Sequence, residues 1–419
     1  MKYYLSYSIA LLCLFLTAEV FAQILPRHHR DIHSAIYRRS SLYTLMVNDV
    51  DRNKAEVIKR SFKGSPMPDK FNDHNLSIRV FNPMHYSASN TDLPDIINNF
   101  FRENRIGQGL VAKWFNRDGK GYFNINLVAE RGLYNASVMQ AEIARFSARG
   151  SSLLADAGAE LIYNTFVVVN RFNYIPKEEI IDAASRGVNE VARLVNRVEA
   201  VRGVNLLLDL ASDVAAEGYV VQAHSYLYKL KWNDSIAAVF YNNYWVDESS
   251  MYSVEEKQRR KLAFENSDIF QLEFVGFDAA WALLPATIFT QKTEEELIYI
   301  ATVRAIDAVI AKLQREHDVF KTKAPLYTVE PLSAKIGLKE GLTNNCRFEV
   351  LEKTIDKNGR TKYVRKGVIR VDGQIWDNRF MADEERELTE GADNLPVIDR
   401  THFRGRGKFY PGMLIRQIR

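Results

Sequence analysis

His28, His29 and His33 crowd the start of the chain, and imidazole is a ready ligand for transition metals. A structural metal site needs further ligands in fixed positions, so the three read as a polar leader segment. His224 stands in a strand-like run with aromatic neighbours. Its chemistry suits a general base, but the setting reads as a hydrogen-bonded sheet histidine. Ser151 follows Gly150, yet a nucleophile elbow needs glycine on both sides of the serine. Cys346 has Arg347 beside it, and a neighbouring cation lowers a thiol pKa. The surrounding strand pattern favours a buried, inert thiol instead. Gly119-Lys120-Gly121 lacks the spacing of a phosphate-binding P-loop and fits a hairpin turn. The paired carboxylates, Glu178-Glu179 and Glu294 to Glu296, fall at predicted helix starts, where negative charge stabilises the helix itself. What remains is a basic cluster, Arg404, Arg406 and Lys408, interleaved with Gly405 and Gly407. Such a loop suits an acidic or phosphate-bearing partner, and these three are the expected partner-binding residues. No catalytic, cofactor-binding or metal residue is expected, and the balance leans away from an enzyme.

The elements that must position these residues are legible in the pattern. Residues 23–90 read as an irregular segment with short elements, among them the apolar run Leu42 to Val47. Asp92-Leu93-Pro94 predicts a helix start, with Ile96, Ile97, Phe100 and Phe101 as its apolar stripe. Tyr122 to Val128 alternates like a strand. Ser137-Val138-Met139-Gln140 is a capping box opening a helix that Gly158 should stop, and Leu161 to Val169 follows as a central strand. Glu178 to about Val201 reads as a long amphipathic helix weakened at Gly187. Tyr219 to Trp232 and Ser235 to Trp245 predict a hairpin turning at Asn233-Asp234, and Ile269 to Val275 a further strand. Thr293 to Glu296 is a second capping box. It opens a helix ending near Asp318, with Val303, Ile306 and Ile310 on the buried face and Arg304 off it. From Lys321 the pattern changes. Pro325 and Pro331 bracket a linker, and short strands then alternate with turns at Glu340-Gly341, Asn358-Gly359 and Asp372-Gly373, as in a small all-β module.

The chain has 419 residues, of which 47% are hydrophobic and 26% charged, an ordinary globular balance with room for about two or three domains. A net charge of +4 is too small to argue for nucleic acid. Basic residues gather at the end, where Arg400, Arg404, Arg406, Lys408, Arg416 and Arg419 follow the last acid, Asp399. The first residues have the three parts of an export signal: Lys2, the apolar core Ile9 to Leu16, and the small residue Ala22, with cleavage expected before Gln23. That core is short of the roughly 20 residues a bilayer span needs. Leu12 precedes Cys13 where a bacterial lipidation signal needs a small residue, so no lipid anchor is expected. Cleavage leaves Cys346 alone, and one thiol closes no intramolecular disulfide, so stability must come from packing.

Two stretches resemble known families. Leu153-Leu154-Ala155-Asp156-Ala157-Gly158-Ala159-Glu160-Leu161-Ile162, with Val128-Ala129-Glu130-Arg131 upstream, looks like the middle of envelope proteins related to the curli secretion channel subunit and the TolB amino-terminal domain. From Pro331, the strands around Ile336-Gly337-Leu338-Lys339-Glu340-Gly341 and Arg347-Phe348-Glu349-Val350 resemble the SH3-like carboxy-terminal domain of the flagellar assembly protein T. The resemblances span Phe100 to the end, without the lipid-attachment cysteine of curli channel subunits. They imply a signal peptide over 1–22, an irregular segment over 23–90, an α/β envelope-assembly-like domain over 91–320 and an SH3-like β domain over 325–419. The expected class is α+β, a mostly antiparallel sheet packed by long helices and followed by a small SH3-like barrel. The expected function is a non-catalytic envelope scaffold or assembly component in the periplasm or on the outer surface, peripheral to the outer membrane. Its expected partners are envelope proteins, copies of itself and a membrane surface, with no cofactor. The alternatives are a secreted hydrolase of polysaccharide or peptide, and a subunit of an oligomeric secretion pore.

Overall fold

The computed structural model describes residues 37–49, 54–86, 92–133, 158–187, 189–190, 218–285, 291–356, 361–388 and 398–418. In chain order the first part runs β1 (Ser40–Val47), α1 (Ala55–Gly64), β2 (Phe71–Asp73), β3 (Val80–Phe81), α2 (Leu93–Glu103), α3 (Ile106–Trp114) and α4 (Asn126–Gly132). It continues with β4 (Thr165–Ile175), α5 (Lys177–Arg186), β5 (Gly218–Leu230), α6 (Asp234–Val239), α7 (Val254–Glu265), β6 (Leu272–Pro285) and α8 (Glu294–Glu316). The second part comprises β7 (Ala324–Pro325), β8 (Thr328–Val329), β9 (Leu332–Ala334), β10 (Arg347–Ile355), β11 (Thr361–Val371), α9 (Ala382–Leu388), β12 (Thr401–Gly405) and β13 (Leu414–Gln417).

Strands of the first sheet lie in the order β2-β1-β4-β5-β6, with β3 also paired to β1. β1 runs parallel to β2, β3 and β4, whereas the longer β4–β5 and β5–β6 ladders are antiparallel. Alternation along the strands sends side chains to two faces. Tyr43, Leu45, Val167, Val169, Tyr228 and Leu230 meet Phe100 of α2 and Leu110 and Trp114 of α3 in one core. Leu42, Met46, Phe166, Val168, Val221 and Leu227 meet Phe62 of α1 and Ile298, Ala305, Ile306, Val309 and Leu313 of α8 in the other. The second sheet is antiparallel throughout, ordered β7-β13-β10-β11-β12-β9-β8 around Phe348, Val350, Ile369, Val371, Phe403 and Ile415. The chain is thus of the α+β class, with helix and strand interleaved. Among the described residues no helix is long and apolar enough to cross a membrane.

Both legible helix starts form as their chemistry dictates. The Asp92 carboxylate accepts the amide of Asp95 at the start of α2. At α8 the Thr293 hydroxyl and the Glu296 carboxylate satisfy each other's backbone amides. Val303, Ile306 and Ile310 are buried as expected.

Other expectations are overturned. Residues 40–47 belong to no irregular segment: β1 is hydrogen-bonded on both sides, from Ser41 opposite Thr165 to Val47 opposite Arg171, and on its other edge to β2 and β3. A strand flanked on both edges and covered on both faces reads as a continuous apolar run without alternation. The stretch Tyr122 to Val128 is loop passing into α4, so Val128 to Arg131 is helical rather than a strand end. Gly158 stops no helix; residues 158–162 are themselves helical, and a Cβ on Gly158 would collide with the Val128 carbonyl oxygen. The following strand starts at Thr165 rather than Leu161. α5 ends at Gly187, whose φ of 118° is unfavourable for other residues. It buries Ile180 and Ala183, while Ile181 is exposed. The expected second hairpin strand is helical: Asn233 makes no turn but caps α6, accepting the Ile236 amide at 3.0 Å, and β5 turns its ladder to β6 instead. Nor is there a free linker before the second sheet. Phe320 is fully buried against Phe71 and Phe166, and Ala324–Pro325 pairs with β13. Arg304 is 6% exposed, donating to the Phe380 carbonyl at 3.0 Å and pairing with Glu385 at 2.6 Å. The capping box at Ser137 and the turn at Asn358-Gly359 lie outside the described residues.

Candidate partner-binding surface

The loop Arg404 to Lys408 leaves β12 and turns back toward β13, and its shape follows from glycine and one ring. A Cβ on Gly367 of β11 would stand 2.8 Å from the Phe409 ring, and one on Gly407 would run into the same ring. The ring therefore occupies space that any other residue would fill, and it packs against the second core. Anchored on that ring, the loop turns the side chains of Arg404, Arg406 and Lys408 outward, and all three are exposed.

The basic end of the chain is less bare than its sequence suggests. Arg400 forms a two-pronged pair with Asp399 at 2.6 and 2.9 Å and lies over the Tyr327 ring. Arg404 faces Asp372 at 3.5 Å, with both side chains about half exposed. Arg416 holds Glu349 at 2.5 Å. Among the described residues, Arg406 and Lys408 have no carboxylate within ion-pair distance, so the exposed positive charge concentrates on these two.

The other residues singled out from sequence are dispersed. His224 lies in β5 between Arg171 of β4 and Ala279 of β6, stacked on Phe277 with ring centres 6.0 Å apart. Cys346 is buried, and its Sγ accepts from the Thr343 amide and from Gln417 Nε2, each at 3.3 Å. Asp118 Oδ1 accepts the amides of Lys120 and Tyr122 and so closes the turn around Gly119-Lys120-Gly121. Glu294 and Glu295 tie α8 to α1 through Lys54 at 2.7 Å and Arg60 at 2.8 Å. Glu178 and Glu179 lie in the first turn of α5. His28, His29, His33 and Ser151 lie outside the described residues. Among the described residues no group of three or more His, Cys, Asp or Glu is arranged to hold a metal ion.

The densest polar chemistry lies where the two sheets meet, and sequence reasoning missed it because its members are far apart in the chain. Lys70 pairs with Glu340 at 3.2 Å, and Lys339 pairs with Asp69 at 3.1 Å. Burial opposes the Glu340 charge, yet Lys70, Asn378 Nδ2 and the Gly337 amide hold its carboxyl below the usual range. Asp307 of α8 faces this group. Burial pushes it up to about 7, with Glu340 and Asp69 adding to the rise and Lys339 and Lys70 opposing it. An open cleft of about 410 Å³, solvent at its mouth included, runs along the seam past Lys70, Gln314, Thr322, Glu340 and Phe348. Further along, Arg39 donates to the Tyr363 hydroxyl, which lies 2.9 Å from that of Tyr37. No family model matches this chain, and a search of curated proteins gave no match.

Proposed function

We propose that the chain is a non-catalytic scaffold or assembly component of a cell envelope, acting through protein–protein contacts. The observation that carries this reading is the ring-anchored loop that presents Arg406 and Lys408 without an internal counter-charge. A fixed pair of exposed cations adds little stability to its own fold. It does steer an acidic partner and set the salt dependence of docking. The curled antiparallel second sheet is in keeping with an SH3-like module, and the export signal read in residues 1–22 would deliver the chain to the periplasm or outer surface. Working peripherally there, it would meet envelope proteins, the membrane surface and copies of itself.

The test uses the full mature chain, crosslinked in intact envelopes and recovered with its neighbours. A defined acidic partner should be captured, with capture falling as salt rises past about 0.15 M, where screening acts within about 8 Å. Arg406→Glu/Lys408→Glu should lose that capture while keeping its thermal midpoint. Capture unchanged by the double variant would remove the basic loop from the function. Self-crosslinked rings would favour the secretion-pore reading, and turnover of peptide or polysaccharide would favour the hydrolase.

A further inference from the structure

We propose that the seam between the two sheets holds a binding site for a phosphate-bearing anion, built by Arg39, Lys323 and Lys353 around Tyr363. Three separate segments bring these residues together. Arg39 immediately precedes β1, and its guanidinium carbon lies 5.4 Å from the centre of the Tyr363 ring. Lys323 immediately precedes β7, with Nζ 4.3 Å from the same ring centre. Lys353 is the cross-strand partner of Tyr363 in the β10–β11 ladder, a register that places neighbouring side chains on one face. The Tyr363 hydroxyl, bonded to Arg39 and Tyr37, lies at the centre of the group.

The charges here do not balance within the protein. Four cations, Arg39, Lys323, Lys353 and Arg416, meet two carboxylates. Glu349 is taken by Arg416 at 2.5 Å, and Glu160 stands 4.0 Å from Arg39. Burial, followed by the repulsion of Arg39, brings both lysines down to about 8. Crowded, partly desolvated cations cost free energy that a bound counter-charge offsets. A surplus of two positive charges matches a phosphate monoester, which carries about two negative charges near neutral pH. Guanidinium and ammonium donors together suit its several oxygens. The rim is open to solvent at Tyr163, which is 40% exposed, and at Glu160. The same chemistry would serve a free phosphate ester or a phospholipid headgroup.

The experiment reads the two amines directly in the full mature chain. An amine-acylating reagent is applied at about pH 7 in phosphate-free buffer, and labelling of Lys323, Lys353 and the exposed Lys362 is quantified by mass spectrometry. Inorganic phosphate should slow the first two about tenfold for each unit by which it raises their pKa, leaving Lys362 unchanged. Sodium chloride of equal ionic strength should not do so. Vesicles of phosphatidylglycerol, compared with phosphatidylcholine, form a second arm. Slowing by these but not by phosphate would support the site and assign it to a lipid headgroup. Lys323→Met/Lys353→Met keeps the apolar stems and should abolish the rise in thermal midpoint that phosphate or the active vesicle gives the parent chain. Equal slowing by chloride, no slowing in either arm, or a ligand-induced shift that survives in the double variant would each overturn the proposal.

Discussion

His74 is fully buried, with Nε2 2.9 Å from the Leu110 carbonyl and Nδ1 2.7 Å from the Arg131 guanidinium. A carbonyl only accepts and a guanidinium only donates, so the partners place the proton on Nε2 and leave Nδ1 as acceptor. Burial, and then Arg131, hold its pKa well below the ordinary histidine value. The unfolded imidazole takes up a proton near pH 6.5 and the folded one does not. The stability it contributes is therefore present above that pH and lost as pH falls toward the folded value. Denaturant midpoints should drop as pH falls below about 6.5, and His74→Gln, which donates and accepts without titrating, should flatten that decline. Nothing in the sequence marks His74, because its surroundings come from Leu110 and Arg131 on α3 and α4. Arg304 was misjudged for the same reason. A charged residue on a helix reads as solvated until Phe380 and Glu385, far down the chain, close over it. Arg304→Ala should cost about 3 kcal/mol because it strips a buried carboxylate of its closest cation. That is comparable to the 2–5 kcal/mol or so expected for Ile306→Ala, and chemical denaturation of the two variants measures both.

At the level of elements, the sequence was most legible where local chemistry decides and least where two local solutions compete. The caps at Asp92 and Thr293 each satisfy backbone amides within a few residues, and both helices start where their side chains demand. Asn233-Asp234 supports either a tight turn or a helix cap, because the same side chain does both jobs. The deciding signal was the spacing of Ile236, Phe240 and Tyr244, one helical turn apart, which lets all three join the aromatic cluster around Phe115, Phe264 and Phe270. The expected two-residue turn was plausible chemistry, but it would have withdrawn Phe240 from that cluster. Among the candidate site residues, Arg406 and Lys408 were legible as exposed cations. The charges of Arg400, Arg404 and Arg416 were not legible as paired, since only the folded sheet supplies their carboxylates.

For the molecule as a whole, α8 links the two sheets. It packs on the first through Ile306 and Val309, and Arg304 and Arg315 reach Glu385 and the Gly341 carbonyl in the second part. With Phe320 and β7 also fixed, limited proteolysis of the native chain should leave 321–331 uncut. A rapid nick there would show that the second sheet is loosely hung. Asp307 makes the contact between the parts sensitive to pH. Its folded pKa of about 7 lies above the unfolded value near 3.9, so the folded chain holds the extra proton between them. That stability is complete below the unfolded pKa and is lost as pH rises through about 7. Asp307→Asn should gain about 2–4 kcal/mol over the parent at alkaline pH and little at acid pH, as measured by denaturant titration at both.

The parallel pairing of β1 with β4 has a consequence for biosynthesis. Ser41 finds Thr165 only after all three helices of the first core, α2 to α4, have been made. Until then the apolar strand Leu42 to Val47 has lost neither its hydrogen-bonding appetite nor its exposure. Closing so long a loop is slow, and chains with such long-range pairings form their native contacts late. A nascent chain of this kind stays threadable while it is being made, and a holding chaperone has a defined segment to cover until β4 arrives.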